Sequence, residues 1–192
     1  MDTVVENKER RIPGVEGIWV FVGADMFFFS VLFVSFMMER GKALAVFESS
    51  RQLLNQDIGG INTLILLTSS WFVVLGMRAA KQGKFKKVHG YLFWGILCGL
   101  AFVASKAFEY QGKLSSGYTP ISNDFFMFYY ALTGLHLLHV IAGTIVLFIF
   151  YRRAKAGLIG GEGINNLEAG TIYWHMVDLL WIMLFPLLYL LR

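Results

Sequence analysis

Tyr173–Trp181 reads YWHMVDLLW, and the reading of this stretch decides what kind of protein the chain is. Two ionisable side chains, His175 and Asp178, stand in a run that is otherwise aromatic and aliphatic. The stretch lies within Ala169–Leu191, 23 residues in which Asp178 is the only charge. A hydrocarbon core about 30 Å thick takes ~20 helical residues to cross, so the run is predicted to span a membrane. An acid and an imidazole at that depth are either a functional site or a polar pair that holds helices together.

Four further runs have the same character: residues 18–38, 58–77, 88–108 and 125–151. The apolar part of the 88–108 run ends at Ser105, where Lys106 is expected to begin a polar edge. The chain of 192 residues is 56% hydrophobic and 16% charged, against roughly 25% charged in soluble domains. The alternating pattern of a transmembrane barrel is absent. The fold class is therefore an all-α integral membrane protein. A tail over residues 1–16 precedes a single five-helix domain over 17–192. The tail lacks the apolar run and cleavage site of a secretory signal, so the first span is expected to act as its own insertion signal. The one cysteine, Cys98, excludes an intrachain disulfide and a thiolate cluster; it reads as a small packing residue in the third span.

The net charge of +4 is unevenly distributed. Lys8, Arg10 and Arg11, then Arg78, Lys81, Lys84, Lys86 and Lys87, then Arg152, Arg153 and Lys155 fall on one side. Arg40, Lys42, Arg51, Lys106, Lys113 and Arg192 fall on the other. Eleven cations against six predict a cytoplasmic N-terminus and a C-terminus on the outer, periplasmic face. The basic loop KQGKFKK then faces lipid headgroups rather than nucleic acid, which would require a folded basic surface.

The connections carry their own signals. Between Glu39 and Asp57, the segment ALAVFESSRQLL suggests a short helix on the outer membrane surface, with Val46, Phe47, Leu53 and Leu54 to one side. Ser122-Asn123-Asp124 supplies candidate N-caps for the fourth span. GLIGGEGINN is rich in glycine and reads as the most flexible connection. Gly95 and Gly99, with Gly134 and Gly143, would let helices approach closely.

Asp25, His136, His139, His175 and Asp178 form the intramembrane polar set. At about 1.5 Å per residue, Asp25 lies on the order of 12 Å from the basic side. His139 is roughly 18 Å from that side, so these groups could meet in one layer. An ionised acid costs about 2.5–3.5 kcal/mol at a helix centre on insertion scales, which makes pairing or protonation close to obligatory. His175 and Asp178 are three apart and share a helix face. Asp25 is expected to reach across to His139 in preference to His136. The same residues admit other readings: a di-metal site short of carboxylates, haem held by two histidines, a proton relay or transporter, or a satisfied network that fixes helix register.

Five blocks narrow the choice: GADMFFFSVLF, GGINTLILLTSS, KAFEYQG, FFMFYYALTGLHLLHVIAG and LEAGTIYWHMVDLLWIMLF. Their order and spacing resemble subunit III of haem-copper oxidases, in the short five-helix form, from about Gly14 to Arg192. The opening RIPGVEGIWVFVGADM looks most like a branch associated with nitric-oxide reductase. The resemblance implies an accessory subunit of a bacterial inner-membrane oxidase (or, alternatively, of a nitric-oxide reductase), with no catalytic residue and no metal of its own. Haem and copper would sit only in partner subunits, electrons would come from cytochrome c or quinol, and phospholipid would bind beside the first helices. Asp25 occupies the place of the family's buried glutamate. Glu109 and Glu168 match family glutamates at helix ends or lipid contacts, and His136, His139, His175 and Asp178 fall within motif blocks. Leu137 and Pro186 depart from the pattern, Pro186 implying a kink.

Overall fold

Hydrocarbon offers backbone N–H and C=O groups no partner, so an apolar run inside it must satisfy them internally as a helix. A computed structural model describes residues 14–191, the side chains of Glu16 and Glu162 excepted. It contains α1 (Glu16–Lys42), α2 (Leu44–Arg51), α3 (Gln56–Lys81), α4 (Phe85–Ser115), α5 (Asp124–Lys155) and α6 (Glu162–Phe185). A π-helical turn, Pro186–Leu190, follows α6. No strand occurs among the described residues. All helices except α2 are long and apolar enough to cross a membrane. Lys8, Arg10, Arg11 and Arg192, used above to weigh the two sides, lie outside the described residues.

The spanning helices overrun the apolar runs, most of all α4, which continues to Ser115. The polar edge expected at Lys106 is therefore not an edge: Lys106 is wholly buried in the helix interior. The α3–α4 connection is a tight turn in which Gly83 adopts φ +71°, a conformation open to glycine without strain. The end of the bundle holding this turn, the start of α1 and the α5–α6 connection is called the basic end below. The far end holds α2, the α4–α5 connection and the π-helical turn.

Helices α3, α4 and α5 pack in chain order, and α6 returns to close the bundle against α3 and α5. Leu180, Trp181 and Leu184 of α6 are fully buried. Close approach depends on small residues: a Cβ on Gly143 would stand 2.7 Å from the Trp174 ring, so the α5–α6 contact tolerates nothing larger. Ser69 of α3 donates to the Gly95 carbonyl of α4 at 2.9 Å. In contrast α1 leans on α5 and α6 with one edge and leaves Val20, Phe27, Val34 and Met38 exposed. Such residues are at home in lipid.

The connections differ in part from the sequence expectation. Helix α2 forms, but the apolar residues of this segment do not share a side. Phe47 and Leu54 are buried while Val46 and Leu53 are exposed, because Phe47 inserts between Phe36 and Phe125. Asn123 caps α5 by accepting from the Phe126 N–H at 2.9 Å. In the glycine-rich segment α6 already begins at Glu162, so GINN is helical rather than loop. Pro186 introduces a wider turn, the Leu191 N–H donating to its carbonyl at 2.9 Å; proline lacks the N–H that would continue the ordinary ladder.

Candidate functional site

The polar groups inside the bundle include a cluster in the far half, three smaller contacts around histidines, and Asn62 of α3, fully buried with neither side-chain amide atom partnered. In the far half, Lys106 is 0% exposed. Its ammonium has three donors and three acceptors. They are Glu109 Oε2 at 2.9 Å, the Tyr129 hydroxyl at 3.3 Å and the Tyr189 hydroxyl at 3.1 Å. Both hydroxyls donate to the other carboxylate oxygen, Glu109 Oε1, at 2.8 and 2.6 Å. The rings of Tyr110, Tyr129, Trp181 and Tyr189 surround the ammonium with centroids 5.2, 5.0, 5.4 and 5.8 Å away, close enough for cation–π attraction. Tyr189 is gripped at its other end as well, its carbonyl accepting from Arg51 at 3.1 Å and Gln56 at 3.0 Å. The π-helical turn is thereby fixed to α2, α3, α4 and α5.

Sequence reasoning placed Glu109 at a helix end and missed Lys106, Tyr129 and Tyr189. The available signal was the spacing of three between Lys106 and Glu109, which puts opposite charges on one helix face. The tyrosines come from distant segments and carry no local mark.

Asp25 and His139 come together as expected: Asp25 Oδ2 lies 3.1 Å from His139 Nε2. The other ring nitrogen, Nδ1, is 2.7 Å from the Leu135 carbonyl. A carbonyl can only accept, so Nδ1 carries a hydrogen. The contact with Asp25 is then attractive only if one further proton lies between the two groups, on the imidazole or on the acid. Tyr173 donates to the His139 carbonyl at 3.2 Å and ties α6 to the same place.

His175 and Asp178 do share a face, but Nδ1 and Oδ2 are 3.9 Å apart, beyond hydrogen-bond range. The first partner of His175 is Ser70 of α3, whose Oγ is 2.6 Å from Nδ1. Asp178 is 4% exposed, and neither of its oxygens is in hydrogen-bonding geometry with a described residue. The trio of Ser, His and Asp is no relay. A nucleophile and an acid must engage opposite ring nitrogens of the base, whereas Ser70 and Asp178 both face Nδ1.

His136 is fully buried. Its Nε2 donates to the Val177 carbonyl at 3.0 Å, and its ring packs on Phe102 and Trp181. The histidines thus make three separate contacts, each joining α5 or α6 to a neighbour. At the basic end Glu168 accepts from the Gly14 N–H at 3.1 Å and from Lys81 at 2.5 Å. This joins the start of α1 to the end of α3. Among the described residues no group of three His, Cys, Asp or Glu side chains is placed to hold a metal ion. Apart from Lys106–Glu109 within α4, His139–Leu135 within α5 and His175–Asp178 within α6, the polar contacts described here join one helix to another or to a connection.

Residues 13–191 match the family model for cytochrome c oxidase subunit III. The chain belongs to this family. It is 34% identical to cytochrome c oxidase subunit 3 of Alkalihalophilus pseudofirmus over 178 residues, covering 91% of this chain and 84% of the relative. It is 30% identical to cytochrome c oxidase subunit 3 of Thermostichus vulcanus, over 100% of this chain and 92% of the relative. A cytochrome bo(3) ubiquinol oxidase subunit 3 from Pseudomonas putida is 29% identical, over 92% and 85%. The subunit III match takes in all of the described polar contacts, from Asp25 in α1 to Tyr189 in the π-helical turn.

Proposed function

We propose that this chain is an accessory, non-redox subunit of a haem-copper terminal oxidase in the bacterial cytoplasmic membrane. The family match along residues 13–191 carries the reading. The interior supports it, because its ionisable groups are spent on helix contacts rather than aligned on a reacting centre. The relatives named above include both a cytochrome c oxidase and a ubiquinol oxidase subunit, so either electron donor fits. None of those three names refers to nitric-oxide reductase.

The basic end faces the cytoplasm in this reading, in keeping with Arg78, Lys81, Lys84, Lys86 and Lys87 there. Phospholipid would lodge between α1 and the bundle. An apolar recess of about 330 Å³ opens there, lined by Ile18, Phe21, Val146, Phe150, Gly170 and Tyr173. Asp25 follows Phe21 by one helical turn and would lie close to the chains of such a lipid.

Isolation of the tagged chain from native membranes in mild detergent, followed by mass spectrometry, tests the role. An oxidase catalytic subunit should accompany it. Recovery of the chain alone, together with proton flux into vesicles containing only this chain, would replace the accessory role with an autonomous transporter.

A further inference from the structure

Where α5 reaches the basic end, Arg152 and Lys155 lie exposed in its last turn. Neither side chain makes an ion pair or a hydrogen bond with a described residue. Lys81, at the same end, is by contrast paired with Glu168. The two free cations border a recess of about 490 Å³ whose other walls are Phe148, Tyr151 and Ala156, and no acid lines it. This recess shares no residue with the one between α1 and the bundle. The negative end of the helix dipole favours cations in a last turn, yet it does not call for the ring-lined recess beside them.

The rings continue out of the recess along the surface of the bundle. Phe148 stacks on Tyr151 at 6.1 Å, and Tyr151 meets Phe93 of α4 at 6.2 Å. Phe93 meets Trp94 at 5.9 Å, and Trp94 stacks on Phe72 of α3 at 6.2 Å. Phe148, Phe93 and Trp94 are exposed. A cationic mouth beside exposed rings sorts ligands by two criteria. Two unpaired cations call for an anion, and a guanidinium beside an ammonium suits the oxygens of a phosphate. A free anion would leave the aromatic surface bare, whereas an amphiphile brings acyl chains to cover it. Aromatic rings favour the boundary between headgroups and chains, and basic recesses on that side of a helix bundle hold phospholipid headgroups.

We propose that the α4–α5 face at the basic end binds one anionic phospholipid, its phosphodiester held by Arg152 and Lys155 and its chains laid over Phe148, Tyr151 and Phe93. The site is separate from any lipid beside α1, and it does not depend on the accessory-subunit reading. It selects by charge. A zwitterionic lipid brings an ammonium group that the two cations repel, whereas the single negative charge of phosphatidylglycerol meets both without opposition.

The test uses the full chain purified in mild detergent and titrated with phosphatidylglycerol, phosphatidylcholine or inorganic phosphate, with bound molecules counted by native mass spectrometry. One phosphatidylglycerol should bind ahead of any phosphatidylcholine, and inorganic phosphate at equal concentration should not displace it. Arg152→Gln together with Lys155→Gln should weaken that binding on the order of tenfold. Arg78→Gln together with Lys87→Gln removes the same charge from exposed positions at the same end and should leave the binding unchanged. Equal weakening in the two double variants would reduce the effect to general surface charge and overturn the proposal. Equal affinity for the two lipids would overturn it as well. Displacement by inorganic phosphate at equal concentration would mark a site for the free anion and would also contradict it.

Discussion

The Lys106–Glu109 cluster and the other buried polar groups of the bundle are partnered differently. In the far half, the donors of Lys106 and the oxygens of Glu109 all find partners within the chain. Outside the cluster, Asp178 keeps two unpartnered oxygens, His136 an unpartnered Nδ1 and Asn62 of α3 an unpartnered side-chain amide. A closed network specifies the fold of the chain, whereas a buried polar group without a partner costs it stability. Substitutions within the Lys106 cluster should therefore cost more than those at the less fully partnered groups.

The largest effect should come from unbalancing the far cluster. Glu109→Leu strands an ammonium in the interior and should destabilise the detergent-solubilised chain by about 3–5 kcal/mol. Lys106→Met together with Glu109→Leu should recover part of that loss, because the pair's desolvation cost disappears with it, but not all of it, because the buried Tyr129 and Tyr189 hydroxyls lose their shared partners. Equal losses in the single and double variants would show that the ion pair is not the linchpin. Tyr189→Phe should come next, at about 1–3 kcal/mol, since it removes a donor to Glu109 and an acceptor for Lys106 in one step. Chemical unfolding in micelles, followed by tryptophan fluorescence, measures all three.

Outside the cluster, Asp25→Asn should cost ~1 kcal/mol or less. The amide can still donate to His139 Nε2 with Nδ1–H kept on the Leu135 carbonyl. A loss as large as that of Tyr189→Phe would mean that the acid is ionised against an imidazolium and that its charge matters.

The smallest effect concerns pH at the far end. Hydrogen bonds from Arg51 and Gln52 hold the Glu48 carboxyl down from its ordinary value of 4.5 to about 2. A depressed carboxylate adds stability that is complete above its unfolded-state value and is lost as pH falls through the folded value. The melting temperature should therefore drop between about pH 4.5 and 2, and Glu48→Gln should flatten part of that slope. Glu48 is open to solvent, so the change should be small. Superimposable profiles would remove Glu48 from the acid response.

Much of this was legible in the sequence because a bilayer imposes hard limits. Span length and the absence of charge gave five helices without reference to packing. Chemical type and depth brought Asp25 to His139. Lys106 was misread because a lysine ends an apolar run unless its partners are known, and those partners lie 23 and 83 residues away along the chain. His175 and Asp178 look like a pair from their spacing alone. Only tertiary structure shows that Ser70 of α3 takes the imidazole first, its hydroxyl 2.6 Å from Nδ1 against 3.9 Å for Asp178. The split of Val46 and Leu53 from Phe47 and Leu54 has the same origin, since Phe47 packs between Phe36 of α1 and Phe125 of α5.

The most direct measurement is the haem content of the complex isolated through this chain, read as a reduced-minus-oxidised spectrum per mole of chain. An accessory subunit should bring down haem in fixed proportion. A colourless preparation of folded, stable chain from membranes that contain active oxidase would contradict the account.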